Sequence, residues 1–284
     1  MTNGPPSDPA VATDGAGEGG RRLGGGWQTE VHEADGVVRR TAGPQSATVI
    51  ALLRHLERVG FAAAPRVVGN GFGPDGRETV AYVEGTSPQP KPWSDEAVAR
   101  IGALVRQLHA ATAGFDVPPD GRWRPWFARA LPGTDPVIGH GDLGPWNILA
   151  RGGDPVAFID WDNAGPVDAV WELAQVAWLN AQLHDEDVAE LNGLPDVTHR
   201  ARQLRLLVDA YGLAADHRPT FVDRIAEFAI HAARQEAVEH SVTAESTAAV
   251  ADNGYPILWG IAWRVRSASW ILRHRRLLTA ALTR

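Results

Sequence analysis

The sequence has no cysteine and a single lysine, Lys91, among its 284 residues. Without cysteine the chain can form neither a disulfide framework nor a thiolate nucleophile. No apolar run approaches the roughly 18 residues that a membrane-spanning helix needs. The first residues also lack the basic and then apolar pattern of a secretory signal. These absences predict a cytoplasmic protein that folds around an ordinary hydrophobic core.

Acidic residues also outnumber basic ones, 34 to 27. The formal net charge is −7 at pH 7, which argues against a nucleic-acid-binding protein, because such proteins place basic side chains against phosphates. The same charge is compatible with a cationic substrate. The length and the 44% hydrophobic content suffice for one large or two moderate domains. No pattern in the chain indicates an oligomeric state.

The N-terminal part of the chain changes character near residue 21. Residues 1–20 are small and polar, cannot bury enough apolar surface to fold, and are expected to form a disordered tail. Beyond them, alternating residues 29–33, a turn at 34–36 and residues 37–40 predict a β-hairpin. A glycine-rich loop precedes this hairpin and consists of Gly24, Gly25 and Gly26.

Two segments in the middle of the chain carry candidate catalytic residues. His140-Gly141-Asp142-Leu143-Gly144-Pro145-Trp146-Asn147 is kept out of a regular helix by its glycines and proline. After it, residues 148–150 and 156–159 predict a short hairpin that delivers Asp160 at its end. The oxygen-bearing side chains of Asp142, Asn147 and Asp160 are therefore expected to converge.

This combination suits the transfer of a phosphoryl group to an alcohol. Such a reaction needs an acceptor for the hydroxyl proton and hard oxygen ligands for the magnesium ion that bridges the phosphates. Asp142 suits the first role, and Asn147 together with Asp160 suits the second. The spacing D-x-x-x-x-N, followed by an aspartate that closes a hairpin, is the catalytic-loop and metal-loop pattern of kinase-like folds.

Further motifs extend the match. With Ala164-Gly165-Pro166-x-Asp168 and Glu172-Leu173-Ala174, the two segments resemble the aminoglycoside phosphotransferase and choline kinase-like superfamily. The resemblance covers roughly residues 24–174. It implies an α+β, bilobal protein-kinase-like fold. The expected N-lobe, residues 21–88, is a small antiparallel sheet that binds nucleotide, and the C-lobe, residues 89–284, is mainly helical and binds the acceptor.

The resemblance also implies a nucleotide site. The glycine loop at 24–26 would contact phosphate, and the backbone of Tyr82 and Val83 would meet adenine at the hinge between lobes. Related proteins hold phosphate with a lysine from the strand after the glycine loop, but this chain offers Arg39 and Arg40. Strand alternation lets only one of them face the cleft. The resemblance favours Arg40, while the residues alone leave Arg39 open.

A second departure concerns the helix predicted over residues 47–59. Relatives commonly carry a glutamate there that orients the basic residue, whereas this helix has only Glu57, at its far end. His109 is interpreted as a core residue, and Asp168 as a structural residue at a helix start. The turn-rich residues 113–135 either pack on the large lobe or face the substrate.

Helical periodicity continues through residues 198–211, 219–240 and 255–282. Trp259, Trp263 and Trp270 share one face of the last segment and are interpreted as core. These helices would build the acceptor pocket, whose residues the sequence does not identify. Their acids, which include candidates for a cationic ligand, are interpreted mainly as solvated surface: Asp185, Glu186, Asp187, Glu190, Glu236, Glu239 and Glu245.

The sequence therefore predicts an ATP- and Mg²⁺-dependent phosphotransferase that acts on a hydroxyl of a small molecule. An aminoglycoside-like antibiotic, a sugar and an amino alcohol all remain open as acceptors, and GTP remains open as donor. The alternative is a catalytically silent relative that binds a small ligand or a protein partner. Intact Asp142, Asn147 and Asp160 favour the enzyme, and the missing lysine and helix glutamate favour the silent relative.

Overall fold

The computed structural model describes residues 21–23 and 31–284. The predicted tail and the glycines at 24–26 lie outside the described residues. The elements, in chain order, are β1 Arg21–Leu23, β2 Val31–Ala34, β3 Val37–Arg40, α1 Ser46–Arg58, β4 Val67–Phe72, β5 Glu78–Ala81, α2 Asp95–Thr112, β6 Pro136–Gly139, β7 Ile148–Arg151, β8 Asp154–Phe158, β9 Gly165–Asp168, α3 Ala169–Asn180, α4 Glu186–Asn192, α5 Val197–Tyr211, α6 Arg218–Glu239, α7 Ile257–Arg273 and α8 Arg275–Leu282.

The first lobe is a five-stranded antiparallel sheet in the order β1-β2-β3-β5-β4, with α1 beside it. The β2–β3 hairpin turns at Asp35 and Gly36, both with positive φ, which is the conformation that a tight two-residue hairpin turn requires. Helix α1 buries the apolar stripe of Val49, Leu52 and Leu56. The predicted helix over 47–59 is confirmed.

The second lobe is mainly helical and is joined to the sheet by the chain that leaves β5. Thr86 exchanges two backbone hydrogen bonds with Ala150 in β7, 3.0 and 2.9 Å long, so the connection is fastened to the hairpin that precedes Asp160. Ser94 then caps α2 by accepting a hydrogen bond from the Ala97 N–H. Two small antiparallel sheets, β6 with β9 and the β7–β8 hairpin, lie between α2 and α3 in the chain and carry the candidate site.

The helical part differs from expectation in two places. The predicted helix over 255–282 is two helices that meet at His274, whose ring Nδ1 lies 3.0 Å from the Trp270 carbonyl oxygen. The break allows α8 to bury Leu278 and Leu282 against α5 and α6. Helix α4 was not predicted, because its seven residues are too few to show a clear periodicity.

The aromatic residues behave mainly as core. Trp263 and Trp270 are buried, as expected, and Trp259 is partly exposed. Residues 113–135 pack onto the large lobe, where the rings of Trp126 and Phe127 lie 6.2 and 5.2 Å from that of Phe228. The predicted α+β fold, with a small sheet lobe and a helical lobe, is confirmed. Within the described residues no helix is long and apolar enough to cross a membrane.

Candidate active site

The loop from His140 to Asn147 is fixed by His140 to the segment that leads to Asp160. This side chain is fully buried. Its Nε2 donates to the Ile159 carbonyl oxygen over 3.0 Å, and its Nδ1 accepts from the Asp142 N–H over 3.3 Å. Burial lowers the pKa of His140 to about 4, which keeps the imidazole neutral and able to play both roles. His140 therefore sets the backbone position of Asp142 relative to Asp160.

Gly141 is the second anchor of this loop. Its φ is +81°, and a Cβ atom there would lie 2.3 Å from the Asn163 carbonyl oxygen, so only glycine fits. The Gly141 N–H donates to Glu172 Oε1 over 2.7 Å. The other oxygen of Glu172 lies 2.6 Å from His109 Nε2, and His109 Nδ1 lies 2.9 Å from the Tyr211 hydroxyl. A buried chain of hydrogen bonds thus connects the loop to α2, α3 and α5.

The carboxylate of Glu172 is fully buried. Burial alone would raise its pKa, but the hydrogen bond and charge of His109 and the Gly141 N–H bring the pKa below its ordinary value. Because the folded-state pKa is the lower one, ionised Glu172 stabilises the fold at neutral pH. This contribution is lost as the pH falls below the ordinary value of 4.5.

Replacing Glu172 with glutamine is therefore expected to lower the free energy of unfolding at pH 7 by about 1.5–3 kcal/mol, the usual worth of a hydrogen bond to a charged group. Urea unfolding of Glu172→Gln measures this loss, and the difference in unfolding free energy from the wild type should stay constant above about pH 5 and narrow as the pH falls below 4.5. Glu190→Gln, at an exposed position on α4, is the control and should change little. A gap that widens on acidification would show that Glu172 is buried as the neutral acid.

Asp142 and Asn147 are hydrogen-bonded to each other within the loop. The Asn147 side-chain Nδ2 donates to the Asp142 backbone carbonyl oxygen over 2.8 Å and to Asp142 Oδ2 over 3.0 Å. These bonds use the amide nitrogen of Asn147 and not its Oδ1. Burial and the nearby charge of Asp160 raise the pKa of Asp142 to about 7, although hydrogen bonds from the side chains of Trp146 and Asn147 and the charge of Arg264 act in the other direction. Asp142 is therefore a carboxylate of unusually high basicity.

Asp160 comes directly after β8 in a left-handed backbone conformation, with φ of +60°. The preceding N–H, of Ile159, donates to the Asn147 backbone oxygen over 2.9 Å, so the two predicted metal ligands stand on adjacent, hydrogen-bonded segments. The Asp160 side chain is 49% exposed. A non-glycine residue held in this conformation stores strain, which is characteristic of functional positions.

The donor set fits magnesium in the manner of nucleotide-binding enzymes. No group of three or more histidine or carboxylate side chains forms a cation site within residues 21–23 and 31–284. Mg²⁺ usually takes only one or two carboxylates from the protein and completes its shell with water and phosphate oxygens. Asp160 and the amide oxygen of Asn147 match that need.

Arg40 extends from β3 into the same region. Its Nε lies 2.5 Å from Glu78, its Nη1 lies 2.9 Å from Asp160 and its Nη2 lies 2.7 Å from Asp162. Burial opposes the charge of Arg40, but these three carboxylates raise its pKa above the usual arginine value. The structure therefore brings Arg40, and not Arg39, to the predicted metal ligand.

Sequence reasoning did not identify Glu78 or Asp162. Glu78 stands opposite Arg40 in the register of β3 with β5, and its side chain is 2% exposed. It holds Arg40 in place of a glutamate on α1. No sequence motif marks Glu78, because it meets Arg40 only through the antiparallel register of β3 with β5, 38 positions away in the chain.

The other predicted nucleotide contacts lie on the connection after β5. The Tyr82 N–H donates to the Gly36 carbonyl oxygen over 2.8 Å, and Tyr82 and Val83 are both partly exposed. Their contact with adenine stays a prediction. So does the phosphate contact of the glycines at 24–26, which lie outside the described residues.

Four of the seven candidate acids of the helical lobe are paired with arginines. Asp185 lies 2.9 Å from Arg266 and 3.1 Å from Arg273, and Glu236 lies 3.1 Å from Arg264. Asp187 lies 2.7 Å from Arg266, and Glu186 lies 2.7 Å from Arg273. These four carboxylates therefore already have a cationic partner within the protein. Glu186, Glu190, Glu239 and Glu245 are exposed, as expected for solvated surface.

Sequence comparison gives a family for the chain. Residues 120–192 match the model of the phosphotransferase enzyme family. The trifolitoxin immunity protein of Rhizobium leguminosarum bv. trifolii is 54% identical over 260 residues, which are 92% of this chain and 97% of that protein.

Solved structures show the same fold at low identity. A choline/ethanolamine kinase family protein from Mesorhizobium loti superposes with a TM-score of 0.57 at 17% identity, over 92% of this chain and 91% of that one. Amicoumacin kinase hAmiN, solved with AMP-PNP, Ca²⁺ and Ami, gives 0.55 at 13% identity, over 96% and 89% of the two chains.

Fold and motifs together define the class: a protein of the aminoglycoside phosphotransferase and choline kinase-like superfamily, with a protein-kinase-like fold. Within that class, the chain belongs to the family of the trifolitoxin immunity protein.

Proposed function

We propose that the chain is an ATP-dependent phosphotransferase that transfers the γ-phosphate to a hydroxyl of a small molecule. The observation that carries this proposal is the grouping of Asp142, Asn147 and Asp160 on two hydrogen-bonded loops, with Arg40 beside them. A general base, a pair of magnesium ligands and a phosphate-binding cation are the parts that phosphoryl transfer requires. Use of ATP implies a cytoplasmic location.

In this mechanism the Asp142 carboxylate orients the acceptor hydroxyl and takes its proton as the oxygen attacks the γ-phosphorus and ADP leaves. A base with a pKa near neutrality is well matched to that step. Asn147 Oδ1 and the Asp160 carboxylate would hold Mg²⁺, which when bound neutralises charge on the phosphates. The Arg40 guanidinium would grip phosphate oxygens with parallel hydrogen bonds.

The name of the relative suggests the biological role. A protein that confers immunity to a toxin can act by modifying the toxin, and phosphorylation of a hydroxyl adds charge and bulk to it. We therefore propose that the acceptor is an antibiotic or toxin. The alternatives of a sugar or an amino alcohol remain as comparison substrates.

A catalytically silent protein is the second candidate, and one contact favours it. Arg40 is bonded to Asp160 itself, so a metal ion must compete with the guanidinium for that carboxylate. In an enzyme this ion pair opens when nucleotide arrives, whereas in a silent relative it stays closed. Binding of magnesium-ATP separates the two cases.

The test is to incubate the protein with ATP, Mg²⁺ and a panel of aminoglycosides, trifolitoxin, sugars and amino alcohols, and to detect the phosphorylated acceptor by mass spectrometry. Calorimetry of magnesium-ATP runs in parallel. Asp160→Ala should lose magnesium-dependent binding and Asn147→Ala should weaken it less, because a carboxylate binds a hard dication more strongly than an amide does. Asp154→Ala, at an exposed turn carboxylate in the same hairpin, is the control.

Two results would count against the proposal. Unchanged magnesium-ATP affinity in Asp160→Ala would remove this residue from the metal site. Tight magnesium-ATP binding with no phosphorylated product from any acceptor would favour the silent relative.

A further inference from the structure

Arg129 is a half-buried arginine in the segment between α2 and β6, and its guanidinium is bonded to backbone carbonyls. Its Nη2 donates to the carbonyl oxygens of Asn163 and Ala164 over 2.9 and 3.0 Å, and its Nη1 donates to the Pro166 carbonyl oxygen over 3.1 Å. These three carbonyls belong to the segment that follows the predicted metal ligand Asp160. One side chain therefore fixes the backbone of that segment at three points.

The carbonyls call for a partner of this shape. Residues 163 and 164 lie between β8 and β9, so no strand partner satisfies them, and Ala164 is fully buried. A guanidinium presents five N–H groups in one plane and can serve several carbonyls at once, whereas an ammonium acts from a single point. The fit is close, because a Cβ atom at Gly165 would lie 2.4 Å from Arg129 Nη1. Nε completes the arrangement by donating to the Arg124 carbonyl oxygen over 3.0 Å.

The position of Arg129 is not set by an ion pair. Burial lowers the pKa of Arg129 to about 10, while the charge of Glu172 acts in the other direction, so the side chain stays protonated at neutral pH. No hydrogen bond joins the two side chains among the described residues, because the oxygens of Glu172 bond to His109 and to the Gly141 N–H. The geometry of the carbonyls therefore holds the guanidinium in place.

The segment that Arg129 holds is the one on which the catalytic loop rests. Gly141 approaches the Asn163 carbonyl oxygen so closely that a Cβ atom on Gly141 would lie 2.3 Å from it. Gly141 directly precedes Asp142, and its N–H is held by Glu172 over 2.7 Å. Two groups thus act on one contact: Glu172 fixes Gly141, and Arg129 fixes the oxygen that Gly141 meets.

We propose that Arg129 is a positioning residue of the active site, whose guanidinium holds the Asn163 carbonyl oxygen against Gly141 and thereby sets the position of Asp142. The link to proton transfer rests on the proposed function. A reacting group that is misplaced by about 1 Å can lower a rate by about 10²-fold, even when the mutation lies away from the chemistry.

Arg129→Lys and Arg129→Gln are expected to lower kcat about 10- to 100-fold and to leave the Michaelis constant for ATP close to that of the wild type. ATP binding changes little because Arg40 keeps its contacts with Glu78 and Asp160. Lysine retains the charge but cannot reach the separate carbonyls together, so it should not restore the rate. Arg122→Lys and Arg122→Gln, at an exposed position of the same segment, are the matched controls.

The kinetics are measured well below the midpoint of thermal unfolding, where a merely structural role of Arg129 would leave kcat of the folded protein unchanged. A normal kcat in Arg129→Lys would overturn the role of the guanidinium. A rise in the Michaelis constant for ATP with an unchanged kcat would place Arg129 in nucleotide binding instead.

Amide hydrogen exchange gives a readout that needs no substrate. In Arg129→Gln the amides of residues 139–143 and 161–165 should exchange about 10-fold faster, while those of α1 and α7 should not change. Unchanged exchange at 139–143 would show that the catalytic loop does not depend on Arg129. Equal acceleration in α1 and α7 would show a general loss of stability and would also overturn the proposal.

The two readouts separate this proposal from the proposed function. If no acceptor is phosphorylated but exchange at 139–143 rises locally in Arg129→Gln, the phosphotransferase proposal fails and the positioning of the loop by Arg129 stands. If phosphorylation is found while kcat and exchange of both Arg129 variants match those of the Arg122 controls, the enzyme stands and the positioning role fails.

Discussion

Asp142→Asn is expected to reduce phosphoryl transfer by about 10²- to 10⁴-fold, the range over which general-base catalysis usually contributes. Asparagine preserves the shape of the side chain and the possibility of contacts with Asn147 and Trp146, but it cannot accept the hydroxyl proton. Magnesium-ATP affinity should stay close to that of the wild type, because Asp160 and Asn147 remain.

The unfolding free energy of Asp142→Asn is a second readout, because a merely structural role of Asp142 predicts a loss of stability and a catalytic role does not. Burial raises the pKa of Asp142 from 3.8 to about 7, so ionisation of this carboxyl opposes folding as the pH rises between those values. The neutral asparagine removes that penalty, and the variant should be at least as stable as the wild type at pH 8. Urea unfolding measures this, with Asp116→Asn at an exposed position as control.

Near-normal turnover in Asp142→Asn would show that another group accepts the proton. A large loss of stability in the same variant would show that the carboxylate holds the loop, and the fall in activity would then carry no information about catalysis.

Local patterns were sufficient for the parts of this site that are continuous in the chain. The loop from His140 to Asn147 and the hairpin before Asp160 are short, and their glycines, proline and turn residues determine their conformation nearly on their own. The same holds for α1, whose apolar stripe lies within the helix.

The contacts that hold these parts together join distant residues and could not be derived from local patterns. Glu172 meets His109 across 63 positions, and Arg40 meets Asp160 across 120. His109 was interpreted correctly as a buried residue, but its link through Glu172 to Gly141 depends on how α2 packs against α3.

Arg40→Ala is expected to raise the Michaelis constant for ATP about 10- to 100-fold, corresponding to the loss of charge-assisted hydrogen bonds worth about 1.5–3 kcal/mol. Arg40 is the basic residue that reaches the metal ligand, and Lys91, the only lysine, lies in the connection between the lobes. Steady-state kinetics with varied ATP measure the effect. Arg39→Ala, the neighbour on the opposite face of β3, is the matched control and should change the constant little.

The ion pair between Glu78 and Arg40 leads to further predictions for the ATP kinetics. Each of three nitrogens of Arg40 contacts a different carboxylate, which a single ammonium cannot reproduce, so Arg40→Lys should remain impaired. Glu78→Gln removes the charge that orients the guanidinium and should raise the Michaelis constant for ATP in the same direction as Arg40→Ala. The effects of the two changes should be less than additive in the double variant, because both act on one ion pair. Full additivity would mean that Glu78 acts independently of Arg40, and a defect confined to Arg39→Ala would reverse the facing of the two arginines.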